Sequence, residues 1–206
     1  MARAMNVPSS PSLQPPGAGL PFAELLLARV GFAVQRRLMS PVQALKRFQT
    51  EAVRICDIGG GLTDEQAARV VVIPRIFGIE DSSRACSINM TIDHLVIVDE
   101  LIIGLMEALL AGRTLPIEIS TANVKPSAKP KPGVLERFAE VVEGYGRVIA
   151  NAGSLKTAAK QHHPWFGPLD AHGWHCLAAV HHTIHRRQIE RIMKGIGGVG
   201  LEAVDS

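Results

Sequence analysis

Histidines concentrate near the C-terminus, where residues 181–192 read HHTIHRRQIERI. An α-helix turns by about 100° per residue, so His181 and His185 lie only about 40° apart on one face, one turn from each other. Two imidazole rings at this spacing can bind the same metal ion. The helical wheel places the pair on an apolar face that it shares with Trp174, Leu177, Gln188 and Ile192, whereas Thr183, Arg186 and Glu190 lie on the far side.

A third histidine, His94, lies on the apolar side of its own predicted helix, together with Met90, Val98, Leu101 and Leu105. Leaving a buried imidazole without a partner costs on the order of 1–3 kcal/mol, so the ring must be hydrogen-bonded or coordinated. His94, His181 and His185 could therefore share one divalent cation. Histidines four residues apart are by themselves a weak motif, and a lone core histidine more often bonds a backbone carbonyl.

We interpret the other histidines and the nearby carboxylates as structural or exposed groups. The wheel places His182 at the flank of its helix or outside it. Asp93 and Glu100 are weak candidates for a general base or for orienting a ligand ring, because their wheel angles point away from His94. The cysteines form no paired spacing and indicate reduced intracellular thiols. We expect exposed positions for His162, His163, His172 and His175.

Apolar periodicity predicts an all-α fold, a bundle of four principal helices with shorter accessory helices. Ser40 is a predicted N-cap with Pro41 as the first helical residue, and Thr63 begins a short segment whose VVVI run would equally suit a strand. The proline-rich segment after residue 112 is long enough to run the length of a helix, so neighbouring helices need not be antiparallel. Helical patterns cover residues 21–38, 41–58, 87–112, 134–153 and 170–195.

The composition indicates a single soluble domain. We expect residues 1–20 to be a disordered tail and residues 21–200 to form one helical domain. The formal charge of +3 and an aromatic content of 4% give no support for nucleic-acid binding. No continuous apolar run is long enough for a secretory signal or a membrane span, so we expect a cytoplasmic protein that does not bind membranes.

Two segments together resemble a known family. SINMTIDHLVIVDELI, followed after a long gap by HPWFGPLDAHGWHCLAAVHHTIHRRQI, is similar to the DinB-like superfamily, the damage-inducible B proteins and their thiol-transferase relatives. The likeness covers roughly residues 40 to 195 and is specific because order and spacing agree together. The matching positions are His163, Pro164, Phe166, Gly167, Leu169, Trp174, His181, His185 and Gln188.

The resemblance implies a four-helix bundle of up-down-down-up topology with a metal site formed by His94, His181 and His185. The family pattern often has two adjacent histidines at the second position of the helix motif, where this chain has Ile184 and His185. The ligand pair could therefore also be His182 with His185, although the wheel favours His181. Gln188, one turn after His185, could orient a ligand ring or a bound water.

The resemblance further implies a metal-dependent enzyme, a thiol-dependent S-transferase or a hydrolase that acts on a small molecule. The alternative is a non-catalytic helical protein that binds a ligand or a partner, with a structural or vestigial metal site. Zinc is the first expectation, with nickel, iron or manganese as alternatives, and a low-molecular-weight thiol is a candidate cofactor. A homodimer is compatible with the family and with the apolar helix over 91–111, which burial within one chain explains equally well.

Overall fold

The structure, a computed structural model, describes residues 12–198. This part of the chain is mostly helical, with two small antiparallel sheets in addition, so the fold is not purely α. The helices are α1 (Phe22–Leu38), α2 (Pro41–Gly60), α3 (Asp64–Ala68), α4 (Ile88–Leu110), α5 (Val134–Ala150) and α6 (Ala171–Gly198), with a 3-10 turn at Asp81–Ser83. The strands are β1 (Val71–Val72), β2 (Ala85–Cys86), β3 (Gln161–His163) and β4 (Gly167–Leu169).

The predicted start of α2 is confirmed by its hydrogen bonds. The Gln43 amide N–H donates to Oγ of Ser40 at 3.2 Å, and the Ser40 amide N–H donates to Oε1 of Gln43 at 2.9 Å. This capping box satisfies two backbone donors that the first turn would leave free. Thr63 and Gln66 begin α3 in the same way, and the VVVI run that follows forms the strand β1.

Four helices form the bundle. α6 packs against α2 and α4, and α5 packs against the same two helices from the other side. One end of the core contains Phe48, Leu105 and Tyr145, and the other contains Ile55 and Ile92, all of them buried. Because α4 contacts both α5 and α6, burial within this chain accounts for its almost wholly apolar surface.

Helix α1 lies against α6, and most of its large apolar side chains are exposed. Phe32 is the one residue of α1 in the buried class. The exposed stripe of α1 consists of side chains four residues apart, which therefore lie along one side of the helix. Its members are Phe22 (81% exposed), Leu26 (53%), Val30 (58%), Val34 (50%) and Leu38 (78%).

Residues 12–20, which belong to the segment expected to be a tail over residues 1–20, contact the loop before α4. The amide N–H groups of Gly17 and Gly19 donate to the two carboxylate oxygens of Glu80, each at 3.2 Å. Leu20 is also buried. These contacts tie the segment down even though its composition is that of a flexible chain. Residues 1–11 of the predicted tail lie outside the described residues.

The long connection predicted after residue 112 is present between α4 and α5 and runs from residue 111 to 133. Lys125 lies in it and contacts Glu80 at 3.1 Å, which fixes the connection to the loop before α4. Within residues 12–198, no helix combines the length and the apolar character that crossing a bilayer requires.

Candidate metal centre

The structure brings His94, His181 and His185 together. Their potential ligand nitrogens all lie within 4.8 Å of one another. Nε2 of His94 is 3.2 Å from Nε2 of His181, about the separation of two nitrogens bound to one zinc ion, since Zn–N bonds are about 2.0–2.1 Å long.

The proton positions on His94 follow from its partner. Nδ1 of His94 lies 2.6 Å from the backbone oxygen of Val124. A carbonyl oxygen only accepts, so Nδ1 carries the proton and donates it. Nε2 of the neutral ring then has a free lone pair, and this nitrogen is the one that faces His181.

The proton on His185 is fixed through two further bonds. The side-chain amide of Gln188 donates to the backbone oxygen of Ser83 at 2.7 Å. Its oxygen Oε1 is then the atom that lies 2.7 Å from Nδ1 of His185, so this Nδ1 also carries its proton. Nε2 of His185 is left as an acceptor. A ring orientation fixed by a hydrogen bond from the non-ligating nitrogen is typical of metal-binding histidines.

His181 supplies the observation that tests whether a metal fits. Its Nδ1 is buried and has no hydrogen-bond partner among the described residues. Its Nε2 faces a lone pair of His94. Without a cation, a proton on Nδ1 of His181 would leave two lone pairs in a repulsive contact, and a proton on Nε2 would leave Nδ1 as an unsatisfied acceptor. A divalent cation between the rings uses both lone pairs at once and removes the repulsive contact, and it leaves only the Nδ1–H of His181 without a partner among the described residues. The donor set of three neutral imidazoles suits zinc and neighbouring transition metals.

Burial keeps the three rings neutral. Desolvation lowers the pKa of His94, although the hydrogen bond that His94 donates to the Val124 carbonyl opposes the shift. Desolvation first, and the nearby histidines second, hold the pKa of His181 well below its ordinary value. The pKa of His185 is lowered well below 6.5 by the same two causes. Neutral imidazole is the form that binds a metal, so the ligands need not first lose a proton at neutral pH.

The three histidines line a cavity of about 680 Å³, which lies between α1, α6 and the loops at 76–83, 119–125 and 163–166. This volume lies within the range of about 300–1,000 Å³ common for small-molecule sites. Most of the lining is apolar and includes Phe32, Val98, Leu101, Leu177, Val180 and Ile184. A cation held by the histidines would therefore face a space that can take a small molecule.

His182 does not join this group. Its Nε2 lies 2.7 Å from Oδ2 of Asp99, and both side chains are almost completely buried. The ring also stacks on Phe48 with centroids 3.9 Å apart. The prediction of a flank or outside position for His182 was wrong, because α6 is covered by α2 as well as by α4. The structure thus places His181, and not His182, beside His185.

Several other polar residues are more buried than predicted. His175 is fully buried between the Tyr145 hydroxyl at 2.6 Å and the Pro41 carbonyl at 2.9 Å, and His172 is half-buried beside the Arg36 carbonyl. Asp93 accepts from the Ser127 amide at 3.0 Å and is buried, whereas Glu100 is exposed as expected. Thr183, assigned to the far side of α6, is buried against Glu51 of α2.

His163 was expected in an exposed loop and instead lines the cavity, while its neighbour His162 is exposed. Residues 161–169 form the hairpin of β3 and β4, in which His163 pairs with Gly167. Successive residues of a strand point to opposite sides, so only one of the two histidines can face inward. The two adjacent histidines, followed by Pro164 and Gly167 as turn residues, are the sequence signal for a hairpin in which one histidine faces inward and the other outward.

Comparison with known proteins supports the fold. No family model matches the chain, and no curated protein matches it. Among solved structures, the chain is similar to the crystal structure of TT2238, a four-helix bundle protein. The TM-score is 0.53 at 18% sequence identity, with 73% of this chain and 98% of that chain covered. This likeness shows that the chain has a four-helix bundle fold.

Proposed function

We propose that this protein is a metal-dependent enzyme that acts on a small molecule, either a thiol-dependent S-transferase or a hydrolase. The observation that carries the proposal is the position of three acceptor nitrogens, from His94, His181 and His185, at the wall of the cavity. Structural zinc sites are closed by four protein ligands, whereas catalytic sites use three and leave one position open. The histidine group corresponds to the second kind.

When bound there, a zinc-like ion supplies Lewis-acid chemistry and lowers the pKa of a water or a thiol. The chain's own groups hold and shield the site. Gln188 and Val124 orient the rings of His185 and His94, and the apolar wall excludes water from the reactants. Burial raises the pKa of all three thiols, that of Cys176 to about 12, and none of them lines the cavity, so a reacting thiol would come from outside the chain.

The test is elemental analysis of protein purified without chelators. We expect about one metal ion per chain, and we expect His181→Ala to lose it while the melting transition stays cooperative. His162→Ala is the matched control, because it removes an exposed histidine that does not line the cavity. A screen of small thiols with electrophilic acceptors, and of esters without thiol, then separates transferase from hydrolase activity. Retention of the metal in His181→Ala would contradict the proposed ligand set.

The second candidate is a non-catalytic helical protein that binds a ligand or a partner. The size and apolar lining of the cavity favour it equally, since binding alone needs no metal. Metal content discriminates between the two. A metal-free protein that binds apolar ligands and shows no turnover after zinc loading would support the second candidate.

Other features are proposed on less specific grounds. The connection over residues 111–133 supports up-down-down-up topology, since it is long enough to pass along a helix. We list zinc before nickel, iron or manganese because imidazole ligands suit it well. We also propose a cytoplasmic location and a small-molecule substrate. The small net charge, the low aromatic content and the lack of a long apolar run give no support for a nucleic-acid or membrane partner.

The homodimer is also a proposal, and the exposed stripe of α1 is the surface that would form it. A contiguous apolar stripe along a helix is typical of protein–protein contact surfaces, and a second copy offers an identical stripe to cover it. Sedimentation velocity should show a dimer that Val30→Glu dissociates. Val53→Glu, at an exposed valine on α2, should leave it intact. A monomeric wild-type protein would overturn the proposal.

A further inference from the structure

Away from the three histidines, the cavity is also lined by positively charged arginine side chains. Around α6, the lining passes from His181 across Leu177, Ile184 and Val180 to Arg187. At about 100° per residue, Arg187 lies about 120° around the helix from His181. On a helix about 10–12 Å wide, this angle corresponds to roughly 11 Å around the helix, and six residues add about 9 Å along its axis, so roughly 14 Å of largely apolar surface separates His181 from Arg187.

A second arginine lies beside the first. Arg47 of α2 also lines the cavity, and its Nε donates to Oγ1 of Thr183 at 2.9 Å. Burial lowers the pKa of Arg47, nearby Glu51 opposes the shift, and the charge of Arg187 lowers it further. The two guanidinium charges therefore disfavour each other, and the charge of Arg47 is also partly desolvated because Arg47 is half-buried, whereas Arg187 is exposed.

The neighbouring carboxylates do not neutralise this pair. Glu51 and Glu190 both accept hydrogen bonds from Arg186. Glu51 also accepts from Thr183 at 3.4 Å. Among the described residues, neither Arg47 nor Arg187 has a carboxylate within ion-pair distance. Glu80, an acidic residue elsewhere in the lining, is occupied by Lys125, Thr121 and two backbone amides.

We propose that the cavity binds an amphipathic anion, a molecule with an apolar body roughly 14 Å long and a carboxylate or similar group held between Arg47 and Arg187. The apolar body lies over Leu177, Val180 and Ile184. Its far end reaches the three histidines. If this anion is the substrate of the enzyme, the inference rests on the proposed function. Binding of the anion itself requires only the cavity and the two arginines.

The test uses metal-free protein in the presence of a chelator at pH 8, where the three histidines are neutral and a carboxylate has no metal to bind. Isothermal titration calorimetry compares decanoate with decyltrimethylammonium below their micelle concentrations. We expect decanoate to bind at least tenfold more tightly than the cation. Arg187→Gln should weaken decanoate binding about tenfold, and Arg47→Gln should do the same if circular dichroism shows that it is folded.

Arg113→Gln is the matched control, because Arg113 is exposed and does not line the cavity. Equal affinity for the anion and the cation, no binding of either by folded protein, or equal effects of Arg187→Gln and Arg113→Gln would each overturn the proposal. Binding to the exposed stripe of α1 instead would be recognised by its indifference to Arg187→Gln. If the expected selectivity is found in a protein that never binds metal, the ligand class stands and the proposed enzymatic function fails.

Discussion

Oε1 of Gln188 lies 2.7 Å from Nδ1 of His185, one helical turn away, and the amide of the same Gln188 is fixed by the carbonyl of Ser83. This pair connects the metal centre to the loop before α4. Because the glutamine oxygen accepts the Nδ1 proton, it presents the other nitrogen of His185 to the cavity.

Gln188→Leu should therefore weaken metal binding without unfolding the protein. Loss of a group that orients a ligand histidine typically costs about 10–100-fold in metal affinity. Competition with a chromophoric zinc chelator measures the change. Gln49→Leu, at an exposed glutamine of α2, should bind zinc like the wild-type protein. An unchanged zinc affinity in Gln188→Leu would show that this hydrogen bond does not support the site.

Asp99→Ala should destabilise the fold far more than Glu100→Ala, although the two residues are adjacent. Asp99 is fully buried with His182, and its removal leaves that ring without its partner, at a cost of about 3 kcal/mol. Glu100 is exposed and lies 3.4 Å from Arg137, so its removal should cost less than about 1 kcal/mol. Urea denaturation of both variants measures the difference, and equal midpoints would contradict the importance of the buried pair.

His163 should make the metal-free protein sensitive to acid. Burial, with a smaller contribution from His162, lowers the pKa of His163 to about 3 from an ordinary value of 6.5. Between these values the unfolded chain binds more protons than the folded one, so stability is complete above pH 6.5 and falls as the pH decreases towards 3.

The variant His163→Gln should lose this dependence. Its free energy of unfolding should decrease less steeply than that of the wild type between pH 6.5 and 4.5, by up to about 1.4 kcal/mol per pH unit. Urea titrations at several pH values in the presence of a chelator give the slopes. His162→Gln, which alters the exposed neighbour, should follow the wild type. Parallel slopes for all three proteins would mean that His163 titrates normally.

Gly195 is required where α6 passes the strand β1. A Cβ atom at this position would lie 2.6 Å from Cγ1 of Val71, a stiff β-branched side chain. Gly195→Ala should therefore destabilise the protein by about 1–3 kcal/mol, and Val71→Ala should relieve most of that loss. Gly197→Ala meets no atom within 4 Å and should be neutral or stabilising by up to about 1 kcal/mol. Thermal melts of Gly195→Ala, Val71→Ala, the double variant with both changes, and Gly197→Ala test both statements.

Much of the fold followed from the sequence because the helices carry local signals. Ser40 with Pro41, and Thr63 before Asp64, are start signals that depend only on neighbouring residues, and both were confirmed. The apolar stripes of α4 and α6 turned His94, His181 and His185 inward because a periodic pattern fixes which residues share a face. Their convergence on one point depended on the packing of α4 against α6, which the family resemblance implied and the residues alone did not.

The errors arose where one helix is covered from more than one side. A wheel divides a helix into an inner and an outer face, but α4 and α6 each pack against two bundle helices. His182 and Thr183 therefore lie in a second interface, although the wheel assigned them to the flank and to the far side of α6. The same limitation concealed Arg47 and Arg187, because their proximity joins residues of α2 and α6 that are 140 positions apart in sequence.

X-ray absorption spectroscopy of the zinc-loaded protein tests the central claim most directly, since it counts ligands and measures their distances. We predict three imidazole nitrogens at about 2.0–2.1 Å and one further light atom, which added thiol replaces with a sulfur at about 2.3 Å. His181→Ala should change the imidazole count, while His162→Ala should not. Four protein ligands that added thiol leaves unchanged, or identical spectra for wild type and His181→Ala, would contradict an open three-histidine site.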